Sequence, residues 1–340
     1  MVLTINFKKK EEWFTFFDGE GNKIERKAEI RFDPLTGETS RLVFDPGLVP
    51  TPPDYKQAAE QTSGKNCPFC SENILKMTPV FPNEIAEEGR IFNGDAIVFP
   101  NLFPYSKHNG VVVFSDQHYV RLEEFSSLMI KNAFMAALHY IKKVAETDKS
   151  ATNFSINWNY LPNSGGSILH PHLHVIISES PTNYQNYVNE YANRFKDETG
   201  NDYFTELYQK EKDSGERWVG EKGNVGWLHA FSPKSHNDFI GIFTKSITIQ
   251  DITEQDLLDF AEGLRSVFNA LIEQGFASFN LSMQLSSDSS SNQPIHVRLI
   301  PRLTIGNLGT SDISYFQAIH DEPLSYKEPE KIAELARAHF

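Results

Sequence analysis

Cysteine is almost missing from this chain: in 340 residues only Cys67 and Cys70 occur. A disulfide-stapled secreted scaffold needs several dispersed pairs, so that class is excluded, and two neighbouring cysteines point to a metal site or a redox pair in a reducing compartment. No run approaches the roughly 20 apolar residues that span a bilayer, and Met1 to Lys10 has neither the apolar core nor the small-residue cleavage site of a signal peptide. No membrane association is expected, and the default compartment is cytoplasmic. Positive charge is scarce as well. Against 45 acidic residues there are 32 basic ones, a net −13, and the longest basic run is Lys8-Lys9-Lys10. Nucleic acid, which is bound through its phosphates, is therefore not an expected partner.

What is present is the composition of an ordinary globular protein, 39% hydrophobic and 23% charged, long enough for one large core or two smaller ones. One pattern occurs twice. The first copy has a strand over 110–114, a helical stretch from about Leu122 to Val144, an alternating strand over 154–159, a glycine-rich loop and a histidine strand running through Ile177. Apolar residues Leu122, Phe125, Met129, Ala133, Ala136, Tyr140 and Val144 recur at three and four, which buries one helix face. The second copy has a strand over 239–243 and a helix opened by Thr253, with Asp256 three residues on, that stops at Gly275. Strands over 279–284 and 295–300 complete it. This predicts an α+β fold of two units related by duplication, with antiparallel sheets and packed helices. His172 then aligns with His296 and His174 with Arg298, so the chemistry belongs to the first half. Between the copies, Tyr184, Tyr187 and Tyr191 at helical spacing predict a surface helix whose stripe serves packing. The serine-rich segment Ser286 to Asn292 predicts a mobile loop.

The chemistry concentrates in His170-Pro171-His172-Leu173-His174. Alternate strand residues share a face, so the three imidazoles form one row, which is poor core material. Just upstream, Asn163-Ser164-Gly165-Gly166-Ser167 offers glycines that let backbone amides approach an anion, and a serine that can donate to it. A phosphate cradle beside a row of histidines suggests phosphoryl or nucleotidyl transfer, with His172 attacking an α-phosphorus. A histidine-rich edge or a metal site using all three rings is the alternative. For Cys67-Pro68-Phe69-Cys70 the redox reading wants the first cysteine at a helix N-terminus after a strand. The preceding Gln61 to Asn66 is polar and loop-like, which favours a metal whose other two ligands come from elsewhere.

At these residues the chain resembles the histidine-triad superfamily, in particular its two-repeat branch with galactose-1-phosphate uridylyltransferase, ADP-glucose phosphorylase and diadenosine tetraphosphate phosphorylase. The resemblance opens at Arg31-Phe32-Asp33-Pro34-Leu35-Thr36-Gly37. It continues through Cys67-Pro68-Phe69-Cys70, through Val98-Phe99-Pro100-Asn101-Leu102-Phe103-Pro104, and through Phe114-Ser115-Asp116-Gln117-His118. It implies two tandem histidine-triad-like domains, 1–180 catalytic with the zinc site and 181–340 degenerate. It implies structural zinc on Cys67, Cys70, His118 and His170, and His172 as the nucleophile. Asn159, Ser167, Gly165 and Gly166 would meet the nucleotide phosphates, and Asn101 and Phe103 would line the nucleoside pocket. His108 resembles a histidine of the simpler triad proteins and is read as a surface residue. His174, as catalytic acid or donor, stands where the transferases and phosphorylases have glutamine and the small triad hydrolases have histidine.

The function so implied is a nucleotidyltransferase or phosphorylase of the galactose-1-phosphate uridylyltransferase type. It would move a nucleoside monophosphate from a nucleotide sugar or dinucleoside polyphosphate to phosphate or a sugar phosphate, and would work as a homodimer. A nucleotide hydrolase, or a nucleotide-binding protein without catalysis, are the alternatives.

Overall fold

The computed structural model describes residues 4–44, 50, 52–286, 293–306 and 308–340. Three strands open it: β1 (Lys9–Phe17), β2 (Lys23–Phe32) and β3 (Thr39–Val43). Helix α1 (Lys56–Thr62) and the single turn α2 (Ile74–Met77) flank the cysteines. The first unit follows as β4 (Ile91–Asn93), β5 (Ala96–Pro100), β6 (His108–Val113), α3 (Ser127–Thr147), β7 (Asn153–Tyr160) and β8 (His172–Ser178). Helices α4 (Asn183–Thr199) and α5 (Tyr203–Ser214) lead to the second. That unit comprises β9 (Trp218–Lys222), β10 (Val225–His229), β11 (Phe239–Phe243), α6 (Glu254–Glu273), β12 (Ser278–Ser286) and β13 (His296–Arg302). The chain closes with the ribbon β14 (Thr304–Ile305) and β15 (Thr310–Ser311), the turn α7 (Tyr315–Ala318), β16 (Leu324–Ser325) and α8 (Pro329–Arg337).

The α+β class and the repeat are present, but the two units share one sheet instead of each keeping its own. Its order is β4-β5-β6-β8-β7-β12-β13-β11-β10-β9, which reads the same from either end once β7 is matched to β12 and β8 to β13. Asn157 pairs with His174 in the first unit and Ser282 with Arg298 in the second, and Asn157 pairs with Ser282 across the seam. A pseudo-two-fold axis therefore passes between Asn157 and Ser282.

Helices α3 and α6 lie on one face of this sheet and meet each other through Phe134 and Phe260, ring centroids 4.9 Å apart. Trp158, wholly buried, packs edge-on against Phe125 and Phe279, each 5.0 Å away, so one aromatic cluster serves both units. Two sequence expectations shift here. The helix expected from Leu122 begins only at Ser127, because Ser126 accepts from the Met129 amide as an N-cap and leaves Leu122–Glu124 as a separate 3-10 turn. Gln61 and Thr62, read as loop, complete α1. The expected box on α6 does form, with the Asp256 carboxylate accepting from the Thr253 amide at 2.9 Å and the Thr253 hydroxyl from the Asp256 amide at 3.1 Å. The loop expected at Ser286 to Asn292 lies, after Ser286, outside the described residues. Among the described residues no helix is long and apolar enough to cross a membrane.

A second sheet, β1-β2-β3-β16, joins the N-terminus to the C-terminus, with β16 parallel to β3. The motif opening at Arg31 is its anchor. Arg31 donates to both Glu330 carboxylate oxygens at 2.8 Å and to Glu29 at 2.6 Å. Arg217 joins the same Glu330 at 2.9 Å and Glu211 at 2.8 Å, with its guanidinium 4.2 Å from the Phe7 ring centre. Asp33 accepts from the amides of Leu35 and Thr36 at 3.0 and 2.9 Å and so folds the turn that ends at Gly37.

Burial pushes the Glu330 carboxyl up, but the guanidiniums of Arg31 and Arg217 outweigh it and hold it down at about 2. A depressed carboxylate contributes stability above its unfolded value and loses it as pH falls through the folded value. Glu330→Gln is therefore expected to lower stability at pH 7 by about 2 kcal/mol, less than a fully buried pair because part of the side chain is solvated. Thermal melts should show the gap between wild type and variant closing as pH falls from about 4.5 towards 2.

Candidate active site

The loop between α1 and α2 carries both cysteines, and Asn73 shapes it by donating to the carbonyls of Gly64 and Cys67 at 3.0 and 2.8 Å. Cys67 Sγ lies 3.7 Å from His170 Nδ1; Cys70 Sγ lies 3.5 Å from His118 Nδ1 and 3.8 Å from His170 Nδ1. All four donor atoms fall within 4.8 Å of one another. A tetrahedron with metal–sulfur bonds of about 2.3 Å and metal–nitrogen bonds of about 2.0 Å has edges of roughly 3.6 Å, so this set could hold a metal ion. The outer ring nitrogens are fixed too. His170 Nε2 donates to the Ser115 carbonyl at 2.8 Å and His118 Nε2 meets the Thr62 hydroxyl at 3.0 Å, which turns both Nδ1 atoms inward. Burial pushes the Cys67 thiol up to about 11, a cost that a bound cation reverses by stabilising the thiolate. His108, read as a surface residue, stands apart from this cluster and bonds Asp148 at 2.8 Å.

Of the row of three histidines, only His170 joins the cysteines. His172 opens β8 opposite Val113, and its Nδ1 donates to the His170 carbonyl at 2.8 Å. A carbonyl only accepts, so the proton sits on Nδ1 and Nε2 carries the lone pair. Burial, reinforced by His174, pushes its pKa down to about 4, which keeps the ring neutral at pH 7. Phe69, between the cysteines, packs edge-on to His172 at 5.3 Å and His174 flanks it at 5.2 Å. Burial lowers the His174 pKa, and its Nδ1 is buried with no hydrogen-bond partner.

The glycine-rich loop departs from expectation in one respect. Its amides do not stand free: Gly165 donates to the Pro162 carbonyl at 2.9 Å, and Ser164 and Gly166 donate to that of Leu161 at 3.1 and 3.2 Å. The glycines serve the turn instead. Gly165 has φ +89°, and a Cβ on Gly166 would come within 3.0 Å of the Asn159 and Leu161 carbonyl oxygens. The side chains of Ser167, which is exposed, and Asn159 are left to meet an anion. The β7–β8 register ends at the Asn157–His174 pair, and continuing it by two residues sets Asn159 level with His172.

The second unit also supplies this site. Asn280 on β12 donates to Asn159 Oδ1 at 2.7 Å and to the Ser164 carbonyl at 2.9 Å, and Arg302 holds Asn280 Oδ1 at 3.1 Å. Nothing in the local pattern of β12 marks Asn280; only the seam register brings it here. Asn101 spends its side chain on Asn109 at 2.9 Å and on the Phe103 amide at 3.2 Å, which shapes the loop carrying Phe103. Phe103 itself is 76% exposed, and the loop reaches the histidines through Tyr105, 6.0 Å from His174. Over the seam lies a cavity of about 320 Å³ lined by Asn157, Asn159, Ile176, Tyr184, Ser282 and Arg298 among others. Tyr184, expected only to pack, is one of its walls.

The aligned positions in the second unit fall where the repeat puts them, with His296 opposite Ile242 and Arg298 opposite Ile240. Their surroundings differ. Phe204 of α5 stacks on His296 at 4.0 Å, and Arg298 is paired with Asp238. Cys67→Ser is expected to reduce tightly bound metal, counted per chain by plasma mass spectrometry, and to lower the melting temperature; an unchanged metal content in the folded variant would remove the metal assignment.

No family model matches the chain. An uncharacterized protein of Archaeoglobus fulgidus is 34% identical over 319 residues, 93% of this chain and 94% of that one. A GalT-like protein of Arabidopsis thaliana superposes with a TM-score of 0.70 at 17% identity, covering 91% of this chain and 98% of that one. An ADP-glucose phosphorylase of Arabidopsis thaliana with bound ADP-glucose gives 0.70 at 16% identity over the same shares, and a uridylyltransferase gives 0.66 at 20% identity, also 91% and 98%. The chain therefore belongs to one family with the archaeal protein, and its fold is the one shared by the GalT-like protein, the ADP-glucose phosphorylase and the uridylyltransferase.

Proposed function

We propose that this protein is a nucleotidyltransferase that works through a covalent intermediate on His172. The observation that carries the reading is the bond from His172 Nδ1 to the His170 carbonyl, which leaves a neutral ring with its lone pair on Nε2. In the first step Nε2 attacks the α-phosphorus of a nucleotide sugar or dinucleoside polyphosphate. A phosphorus–nitrogen bond forms, the bond to the bridging oxygen breaks, and the sugar phosphate or nucleotide leaves with that electron pair. The Nδ1 proton stays on the ring throughout, and the carbonyl dipole stabilises the positive charge the ring acquires. In the second step an oxygen of phosphate or a sugar phosphate attacks the same phosphorus, and the electron pair returns to Nε2.

Ser167 and Asn159 would be the donors that meet the phosphate oxygens, with Asn280 holding the Asn159 carboxamide in position, and the cavity over the seam would give the acceptor room. The ADP-glucose held by the Arabidopsis phosphorylase of the same fold agrees with a nucleotide sugar as donor. Zinc, bound by Cys67, Cys70, His118 and His170, would supply a structural tie rather than chemistry at phosphorus. By fixing His170 it would fix the carbonyl that orients His172. A second reading, hydrolysis, is favoured by one feature, the unpartnered Nδ1 of His174 beside the nucleophile.

Intact-protein mass after incubation with nucleotide sugars and dinucleoside polyphosphates is expected to rise by one nucleoside monophosphate, in an acid-labile adduct. His172→Gly should lower adduct formation by at least about 10⁴-fold with the fold retained. Discharge faster with phosphate or sugar phosphate than with water supports transfer, and discharge by water alone supports hydrolysis. Asn280→Ala should slow adduct formation about tenfold, because Asn159 loses the bond that orients its carboxamide. An unchanged rate would remove the second unit from the chemistry.

A further inference from the structure

The second unit carries a cleft that the reaction at His172 does not use. It lies where β12 and β13 meet the N-terminal half of α4, and it encloses about 60 Å³ lined by Asn153, Gln185, Asn189, Gln284, Gln293 and His296 among others. On this measure a water needs about 10–15 Å³, so the enclosed part takes roughly four water-sized groups. Two features set it apart. Among the described residues no aspartate, glutamate, lysine or arginine lines it, and five of the six residues just named are carboxamides. Three of its side-chain atoms, Gln284 Oε1, Gln293 Nε2 and His296 Nε2, are buried without any hydrogen-bond partner. Gln293 and His296 are only 8% and 5% exposed, and each such buried polar atom left unmet costs about 1–3 kcal/mol.

The polarity of two of these atoms is fixed by their partners. His296 Nδ1 donates to the Pro294 carbonyl at 3.2 Å, and burial holds the ring neutral, so its Nε2 accepts. Gln284 uses its Nε2 on the Ser282 hydroxyl at 2.7 Å, which leaves Oε1 as an acceptor. Gln293 Nε2 donates. Two acceptors and a donor on neutral groups are complementary to two neighbouring hydroxyls. Each hydroxyl gives its proton to one acceptor, and one of their oxygens takes the carboxamide proton. Among the described residues an anion would meet two acceptors with no cation beside it, and an ammonium would have no carboxylate, so burying either charge against them is disfavoured.

We propose that this cleft is a second ligand site, one that takes the vicinal diol of a neutral sugar. It stands on the far side of the pseudo-two-fold axis from His172. Its His296 is the repeat's counterpart of His172, with its ring face covered by Phe204.

Saturation-transfer NMR on the full-length, metal-loaded chain with glucose, ribose and maltose tests this. The expected result is saturable binding that survives His172→Ala and weakens about tenfold in Gln293→Leu. Because Gln293 is buried, Asn189→Ala at an exposed position of α4 provides a variant that leaves the core untouched, with a several-fold loss expected. Deoxy sugars lacking one of the paired hydroxyls should bind about tenfold more weakly, a readout that a purely structural role for these residues would not move. No transfer to any neutral sugar, binding unchanged in both cleft variants, or binding abolished by His172→Ala would each overturn the proposal. The last would place the sugar in the first unit.

Discussion

The pairing of β7 with β12 is the constraint on which the rest depends. Each unit alone would present an edge strand and a half-covered sheet, and joining them edge to edge satisfies both backbones at once. It also closes a single aromatic core beneath, since Trp158 of one unit packs on Phe279 of the other. The register is as consequential as the contact. A shift by one residue would turn every side chain of β12 over and put Asn280, Ser282 and Gln284 into the core in place of Phe279, Leu281 and Met283. Burial of one face therefore dictates which polar groups arrive on the other. Among them is the carboxamide that holds Asn159 and the Ser164 carbonyl.

The two units solve one physical problem differently. A histidine at the start of β8 or β13 is buried against a carbonyl two residues back, at 2.8 Å for His172 and 3.2 Å for His296. In both cases an aromatic ring from an inserted segment covers it. In the first unit the cover is Phe69, held in a loop braced by two cysteines and two histidines, and it stands edge-on at 5.3 Å. In the second it is Phe204 from a helix, lying parallel at 4.0 Å, which closes off the ring face. The Arg298–Asp238 pair then stands where His174 stands in the first unit. The same backbone geometry thus supports two buried histidines, one met edge-on by its aromatic neighbour and the other stacked face to face.

The charge network around Glu330 belongs to the same economy. Arg31 lies on β2 and Arg217 just before β9, and Glu330 from the last helix draws them together beside Phe7 and Phe231. Charges buried this deeply persist only as a set, because removing one partner leaves another uncompensated. That is the physical content of the Arg31-to-Gly37 motif: an anchor for the N-terminal sheet and a turn folded by Asp33.

By itself the sequence determined the class, the repeat and the chemically interesting strand. Hydrophobic periods of two and near four depend only on local geometry, and the Thr253–Asp256 cap and the Cys67–Cys70 loop are local as well. The histidine row and the spacing of the glycines were legible for the same reason. Local pattern overreached at Leu122, where an apolar stripe continued past a Ser126 cap, and at Gly165 and Gly166, whose amides fold back on their own loop. Tertiary structure alone decided the rest. It fused two sheets into one, selected Asn280 and Tyr184 as neighbours of the site, and left Gln284, Gln293 and His296 with unmet polar atoms in one cleft. Those outcomes turn on which strand pairs with which and in what register, a choice set by burial summed over the whole sheet.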